Sequence, residues 1–162
     1  MNTKAKEIPL SDNFFMSEVT ESQTASRLGL DNTLPTELLG NVINTATQME
    51  KVRALLGNLP ITINSWYRSV QVNRAVGGAT TSQHMTGKAV DFVCPKFGRP
   101  LEIVKLIAAN SELFRFDQLI LEHTWVHISF ELPLTKGRKE VLTLLDTGKY
   151  AKGITTKKGV PV

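Results

Sequence analysis

The strongest constraint in this chain is a change of hydrophobic period at Pro60. Over 35–56 the apolar residues Leu38, Leu39, Val42, Ile43, Ala46, Met49, Val52, Leu55 and Leu56 recur at steps of three and four, the stripe of an amphipathic helix. Pro35 suits a first helical turn and Gly57 suits the stop. Beyond Pro60, Ile61, Thr62, Ile63 and Asn64 alternate with period two, as a half-buried strand does. A helix with one oily face must bury it. The change of period therefore predicts a long helix packed along one face of a sheet.

The other elements follow by the same rules. Ser17 is a candidate N-cap for a helix that runs to Leu28 and stops at Gly29. A short helix is expected over 69–75, closed by Gly77 and Gly78, then a polar loop over 79–87 and a strand over 89–94. Pro100 opens a helix carrying Leu101, Val104, Ile107 and Ala108 on one face. Strands are expected over 116–121 and 125–131, and a small hairpin from Val141 to Leu145 turning at Asp146, Thr147 and Gly148. Helices and strands without regular βαβ alternation give an α+β fold, a largely antiparallel sheet with helices packed on it.

Charge divides the chain. Up to Glu131 there are 12 Lys/Arg against 13 Asp/Glu, whereas the rest holds seven basic residues against Glu140 and Asp146. The expected division is a main domain over 1–135 and a basic extension over 136–162, part of the same domain or a tail. Such a tail reads as a solubilising surface or as an attraction for an anionic polymer. Nucleic acid is not the expected partner, because binding it calls for basic residues interleaved with stacking aromatics and the extension offers only Tyr150. No apolar run approaches the roughly 20 residues of a membrane span. The start, Met1 to Glu7, is basic without an apolar core, so no secretory signal is expected. The expectation is cytoplasmic synthesis, with release or export supplied by another factor. Cys94 is the single cysteine and lies in an apolar run, the setting of a buried inert thiol.

The chemistry-bearing residues stand out against these elements. Histidine occurs only at 84, 123 and 127. His84 lies in a polar segment that no core pattern explains. Asp91 and His127 interrupt strands of otherwise apolar residues, where a carboxylate is costly unless it is paired or bound to a cation. Two imidazoles and one carboxylate have the composition of a metal site of nitrogen and oxygen donors, which suits zinc and also other first-row metals.

The run Ser82-Gln83-His84-Met85-Thr86-Gly87-Lys88-Ala89-Val90-Asp91 fits the pattern S-x-H-x-x-G-x-A-x-D. It resembles the zinc D-alanyl-D-alanine carboxypeptidases and the phage L-alanyl-D-glutamate endopeptidases, whose fold also appears in the hedgehog signalling domain. Trp125-Val126-His127 resembles the family's second element, and Ser65-Trp66-Tyr67-Arg68-Ser69 its S-x-Y-R segment. Residues 14–56 also look like the phage and prophage branch. The resemblance implies a hedgehog/DD-peptidase-like fold, with a zinc peptidase domain over 1–135 and one Zn2+ held by His84, Asp91 and His127. It further implies a metal-activated water that hydrolyses amide bonds in peptidoglycan peptides, in carboxypeptidase or endopeptidase mode. Arg68 would hold a substrate carbonyl or carboxylate. Ser82 would hydrogen-bond the substrate, orient a ligand or shape the loop, while Gly87 and Ala89 fit as small residues near a crowded metal centre.

The general base has two candidates. Glu122 is the acid nearest before His127, but on one continuous strand the two would face opposite sides. Glu122 serves only if His123-Thr124 makes a turn or bulge. His123 would share a face with His127 on a continuous strand and is the rival base or oxyanion partner. Asp117 reads as a strand-start residue. The alternative function is a zinc-stabilised, non-catalytic binding module of the same fold.

Overall fold

The structure is a computed structural model and describes residues 7–162. The expectation of no secretory signal rests on the start of the chain, of which residues 1–6 lie outside the described ones. Among the described residues, no helix is long and apolar enough to cross a membrane.

The chain forms α1 (Met16–Thr20), α2 (Gln23–Leu28), α3 (Leu39–Leu55), β1 (Thr62–Ser65), α4 (Val70–Ala75) and β2 (Ala89–Val93). It continues through α5 (Pro100–Ala109), β3 (Phe116–Leu121), β4 (Val126–Phe130), β5 (Glu140–Leu144) and β6 (Tyr150–Lys152). The six strands make one sheet in the order β1-β2-β4-β3-β5-β6. Every pairing is antiparallel except β3 with β5, which is parallel. The fold is α+β, as the periodicity predicts.

The single helix expected up to Leu28 is two. The Ser22 hydroxyl accepts from the Ala25 N–H at 3.1 Å and starts α2 afresh, and Gly29 ends it at φ 65°. The long helix begins later than Pro35, after a 3₁₀ turn at Thr36–Leu38. Its buried stripe is narrower than the apolar list implies: Val42, Ala46, Met49 and Val52 are buried, whereas Leu39 and Ile43 are exposed. Pro100 starts α5 at its first turn, where Glu102 accepts from the Arg99 N–H at 2.7 Å.

Strand alternation divides the sheet into two unlike faces. Val90, Phe92, Leu119, Val126, Ile128 and Phe130 point to one side and are buried with Val42, Met49, Ile103 and Ile107 of α3 and α5. Burying a side chain of this size is worth roughly 1.5–3 kcal/mol, so this face is the main source of stability. Cys94 is buried there, its thiol donating to the Pro60 carbonyl at 3.3 Å. The opposite face carries a row of residues in register: Ser65, Asp91, His127, Ile120 and Leu142. An open cleft lies over that side, lined by Asp91, His127, Ile120 and Leu142. The basic extension is built into the same sheet. Its strand β5 pairs with β3, and Val141 packs against the core.

Candidate metal centre

The loop over 79–87 is shaped by two short-range devices. The Ser82 hydroxyl accepts from the His84 N–H at 3.3 Å, capping a 3₁₀ turn at Gln83–Thr86, and Gly87 closes it at φ 71°. A Cβ on Gly87 would lie 2.6 Å from Val42 Cγ1. The crowding that requires glycine there comes from α3, and not from the metal centre. The Gly87 carbonyl accepts from the Trp66 indole and from the Thr45 hydroxyl, both at 3.0 Å.

The segment after β1 is stitched to this loop. The Arg68 N–H donates to the His84 carbonyl at 3.1 Å, and the Trp66 carbonyl lies 2.6 Å from His84 Nδ1. Buried Asn32 clamps the same segment from outside. Its amide donates to the carbonyls of Thr20 and Tyr67, and its oxygen accepts from the Ser69 N–H at 2.8 Å. Asn32 and Trp66 carry no signal as site residues in a single sequence, because their partners are distant along the chain.

These constraints gather His84, Asp91 and His127. One ligand-capable atom from each lies within 4.8 Å of the others. His84 is 2% exposed and Asp91 5%. Asp91 Oδ1 is 2.8 Å from His127 Nδ1 and 3.2 Å from His84 Nε2, while Oδ2 accepts from Arg68 Nη2 at 2.9 Å. The two imidazole rings meet edge to face, with centroids 5.1 Å apart.

The donor set fits a cation. A carbonyl only accepts, so His84 Nδ1 must carry the proton and Nε2 must present a lone pair. Burial lowers the His84 pKa against the raising effect of Asp91, keeping the ring neutral. Nε2 is buried and, poorly aligned with Asp91, has no hydrogen-bond partner among the described residues. Two lone pairs 3.2 Å apart at a buried position repel unless something positive lies between them. Tetrahedral zinc, with ligands at about 2.0–2.1 Å, holds them roughly 3.3 Å apart.

The cleft above this group has a volume of about 690 Å³, and its walls include Arg68, Ser82, Glu122 and Trp125. Arg68 Nε donates to the Ser65 hydroxyl at 3.0 Å, and among the described residues Nη1 has no hydrogen-bond partner. Burial lowers the Arg68 pKa, countered by Asp91 and Glu122.

The hairpin between β3 and β4 decides how the two base candidates lie. Leu121 pairs with Val126, and the Glu122 N–H donates to the Trp125 carbonyl at 3.2 Å, so the chain turns at His123-Thr124. Ile120 pairs with His127, and Glu122, two residues on, shares their face. Glu122 is 9% exposed, and burial raises its pKa above the ordinary 4.5. The expectation that His123 shares a face with His127 does not hold, because the turn interrupts the strand. His123 lies outside the cleft walls, with Nε2 4.0 Å from Asp146 Oδ1. Asp117 is no mere strand-start residue: it is buried, and both its oxygens take the Arg138 guanidinium, with Nη2 at 2.6 Å from Oδ2.

The sequence profile of the family described as Peptidase M15 matches residues 12–129. The zinc D-Ala-D-Ala carboxypeptidase of Streptomyces albus G is 43% identical to this chain over 51 residues, which is 32% of this chain and 20% of that protein. The match thus spans about a fifth of the relative's length.

Proposed function

The chain belongs to the peptidase M15 family, and from that premise we propose that it is a zinc metallopeptidase hydrolysing amide bonds in peptidoglycan peptides. The observation that carries this reading is the buried, partnerless Nε2 of His84 facing Asp91 and His127 at the floor of an open cleft. His84, Asp91 and His127 would hold the ion. A zinc ion there supplies Lewis-acid polarisation of the scissile carbonyl and acidifies water for attack near neutral pH.

The chain's own residues do the rest. Glu122, on the cleft wall with a raised pKa, takes the proton of the attacking water and returns it to the leaving amine. Arg68 presents Nη1 to the substrate carbonyl or carboxylate while its other nitrogens brace Asp91 and Ser65. Ser82 acts as a positioning residue through the turn that carries His84. A lytic setting, with the enzyme reaching the wall after release or export by another factor, belongs to the same reading. It draws on the likeness of residues 14–56 to the phage and prophage branch.

Mass spectrometry of peptidoglycan digested by the zinc-loaded protein tests this reading. The expected result is new amino termini at one type of peptide bond, which also distinguishes endopeptidase from carboxypeptidase action. Stoichiometric zinc uptake with no product from any wall peptide would leave the non-catalytic binding module instead.

A further inference from the structure

The family match ends at residue 129, yet the cleft does not. Leu142, Leu144 and Tyr150, all from the extension, line the same cavity as Asp91, His127 and Glu122. The register explains how. Leu121 pairs with Thr143, so Leu144 stands beside Glu122 in the next strand, and Tyr150 pairs with Leu144. One row lower, Leu142 stands beside Ile120, whose other neighbour is His127. The two added strands therefore extend the site face of the sheet sideways as an apolar shelf. Tyr150 lies two strand spacings from Glu122, about 10 Å. Burial, with the carboxylates of Glu122 and Asp91, raises the Tyr150 pKa.

We infer that Leu142, Leu144 and Tyr150 form a specificity subsite for an aliphatic side chain of the peptide substrate, close to the cleaved bond. An extended peptide advances about 3.3 Å per residue, so a shelf reaching about 10 Å from Glu122 serves side chains within about three residues of that bond. An acidic wall peptide with small aliphatic side chains suits it, because the apolar groups meet the shelf. Exposed Lys152, which pairs with Leu142 and so shares its face, stands at the shelf edge for a carboxylate. The shelf lies on strands beyond the residues that the family match covers. The identity of the peptide rests on the proposed peptidase activity.

Steady-state kinetics of Leu144→Ser and Tyr150→Ala test the shelf. Leu144 is only half-buried and Tyr150 is 52% exposed, so both variants are expected to fold with unchanged zinc content. On a full wall stem peptide the KM should rise about 10-fold, the scale of losing a small apolar contact, with kcat little changed. On one of two substrates shortened to the cleaved bond's own residues, from either end, variants and wild type should become equal. Wild-type kinetics on the full peptide would overturn the inference. So would an equal loss on both shortened substrates, which marks a structural defect. If the wild type cleaves no wall peptide, the proposed activity has failed, and calorimetry of the same stem peptide on zinc-loaded protein judges the shelf. Weaker binding by both variants sustains it, whereas equal or absent binding overturns it.

Discussion

Asp91 in β2 and Asp117 in β3 present the same problem to the fold and receive opposite solutions. Each is a carboxylate in a mostly apolar strand, and each is nearly inaccessible. Asp117 meets one guanidinium that takes both oxygens, and Arg138 remains 57% exposed. That pair is complete. Asp91 meets one Arg68 nitrogen on Oδ2, while Oδ1 faces two imidazole nitrogens, one with no proton to give. That arrangement is a pair plus a deficit of positive charge. A buried acid with matched donors is structural, and one facing lone pairs marks a place for a cation.

The comparison breaks most visibly at the imidazoles. His84→Ala and His127→Ala should each lose nearly all zinc by elemental analysis, and peptidase activity with it. Retention of a full equivalent by both would refute the proposed ligand set. A chelator should abolish activity in the wild type, and added zinc should restore it.

Next in size is the base. Glu122→Gln should keep zinc and fold but lower kcat on the order of 10²–10⁴-fold, the contribution of a positioned general base. His123→Ala, outside the cleft, should stay within a few-fold of wild type. Zinc-loaded, inactive His123→Ala beside active Glu122→Gln would exchange the roles. The acidic limb of kcat/KM should lie above the ordinary 4.5, the direction in which burial moves Glu122.

The two aspartates can then be set directly against each other. Asp91→Asn should hold zinc more weakly than wild type, because an amide oxygen is a neutral and poorer donor. Asp117→Asn should bind zinc as the wild type does. Equal zinc loss in both would mean that Asp117 supports the centre through β3 and that the division drawn between them is too sharp.

How far this contrast was legible in the sequence depends on the distance over which each signal acts. His84, Asp91 and His127 announce themselves locally, as polar residues where the pattern calls for apolar ones, and the motif around Ser82 and Gly87 orders them. The strands were legible for the same reason, since alternation is local. Asp117 carried the same local signal as Asp91, but its partner Arg138 is 21 residues away and reaches it only because β5 pairs with β3. The clamp of Asn32 and the bracket of Trp66 are likewise tertiary. Glu122 lay between, since one turn at His123-Thr124 decides which face its side chain takes. The break between α1 and α2 has no clear local signal, because the Ser22 cap lies inside a stretch that otherwise reads as one helix.

The smallest effect is the most specific to Asp117. Hydrogen bonds from Arg138 hold its pKa below the ordinary 3.8, against the raising effect of burial. A carboxylate with a depressed folded pKa favours the folded state once it is ionised. Its stabilisation is fully present above the unfolded value near 3.8 and is lost as the pH falls below that, through the depressed folded value. Because the guanidinium is largely exposed and solvates readily once released, Asp117→Asn should cost only about 1 kcal/mol, the low end for a charge-assisted pair. That corresponds to a fall in Tm of roughly 2–4 °C for a chain of this size. Thermal melts of wild type and Asp117→Asn should therefore differ at neutral pH and converge as the pH falls below about 3.8. A gap that persists unchanged into acid would mean that Asp117 acts through packing alone, and the contrast with Asp91 would no longer be one of charge.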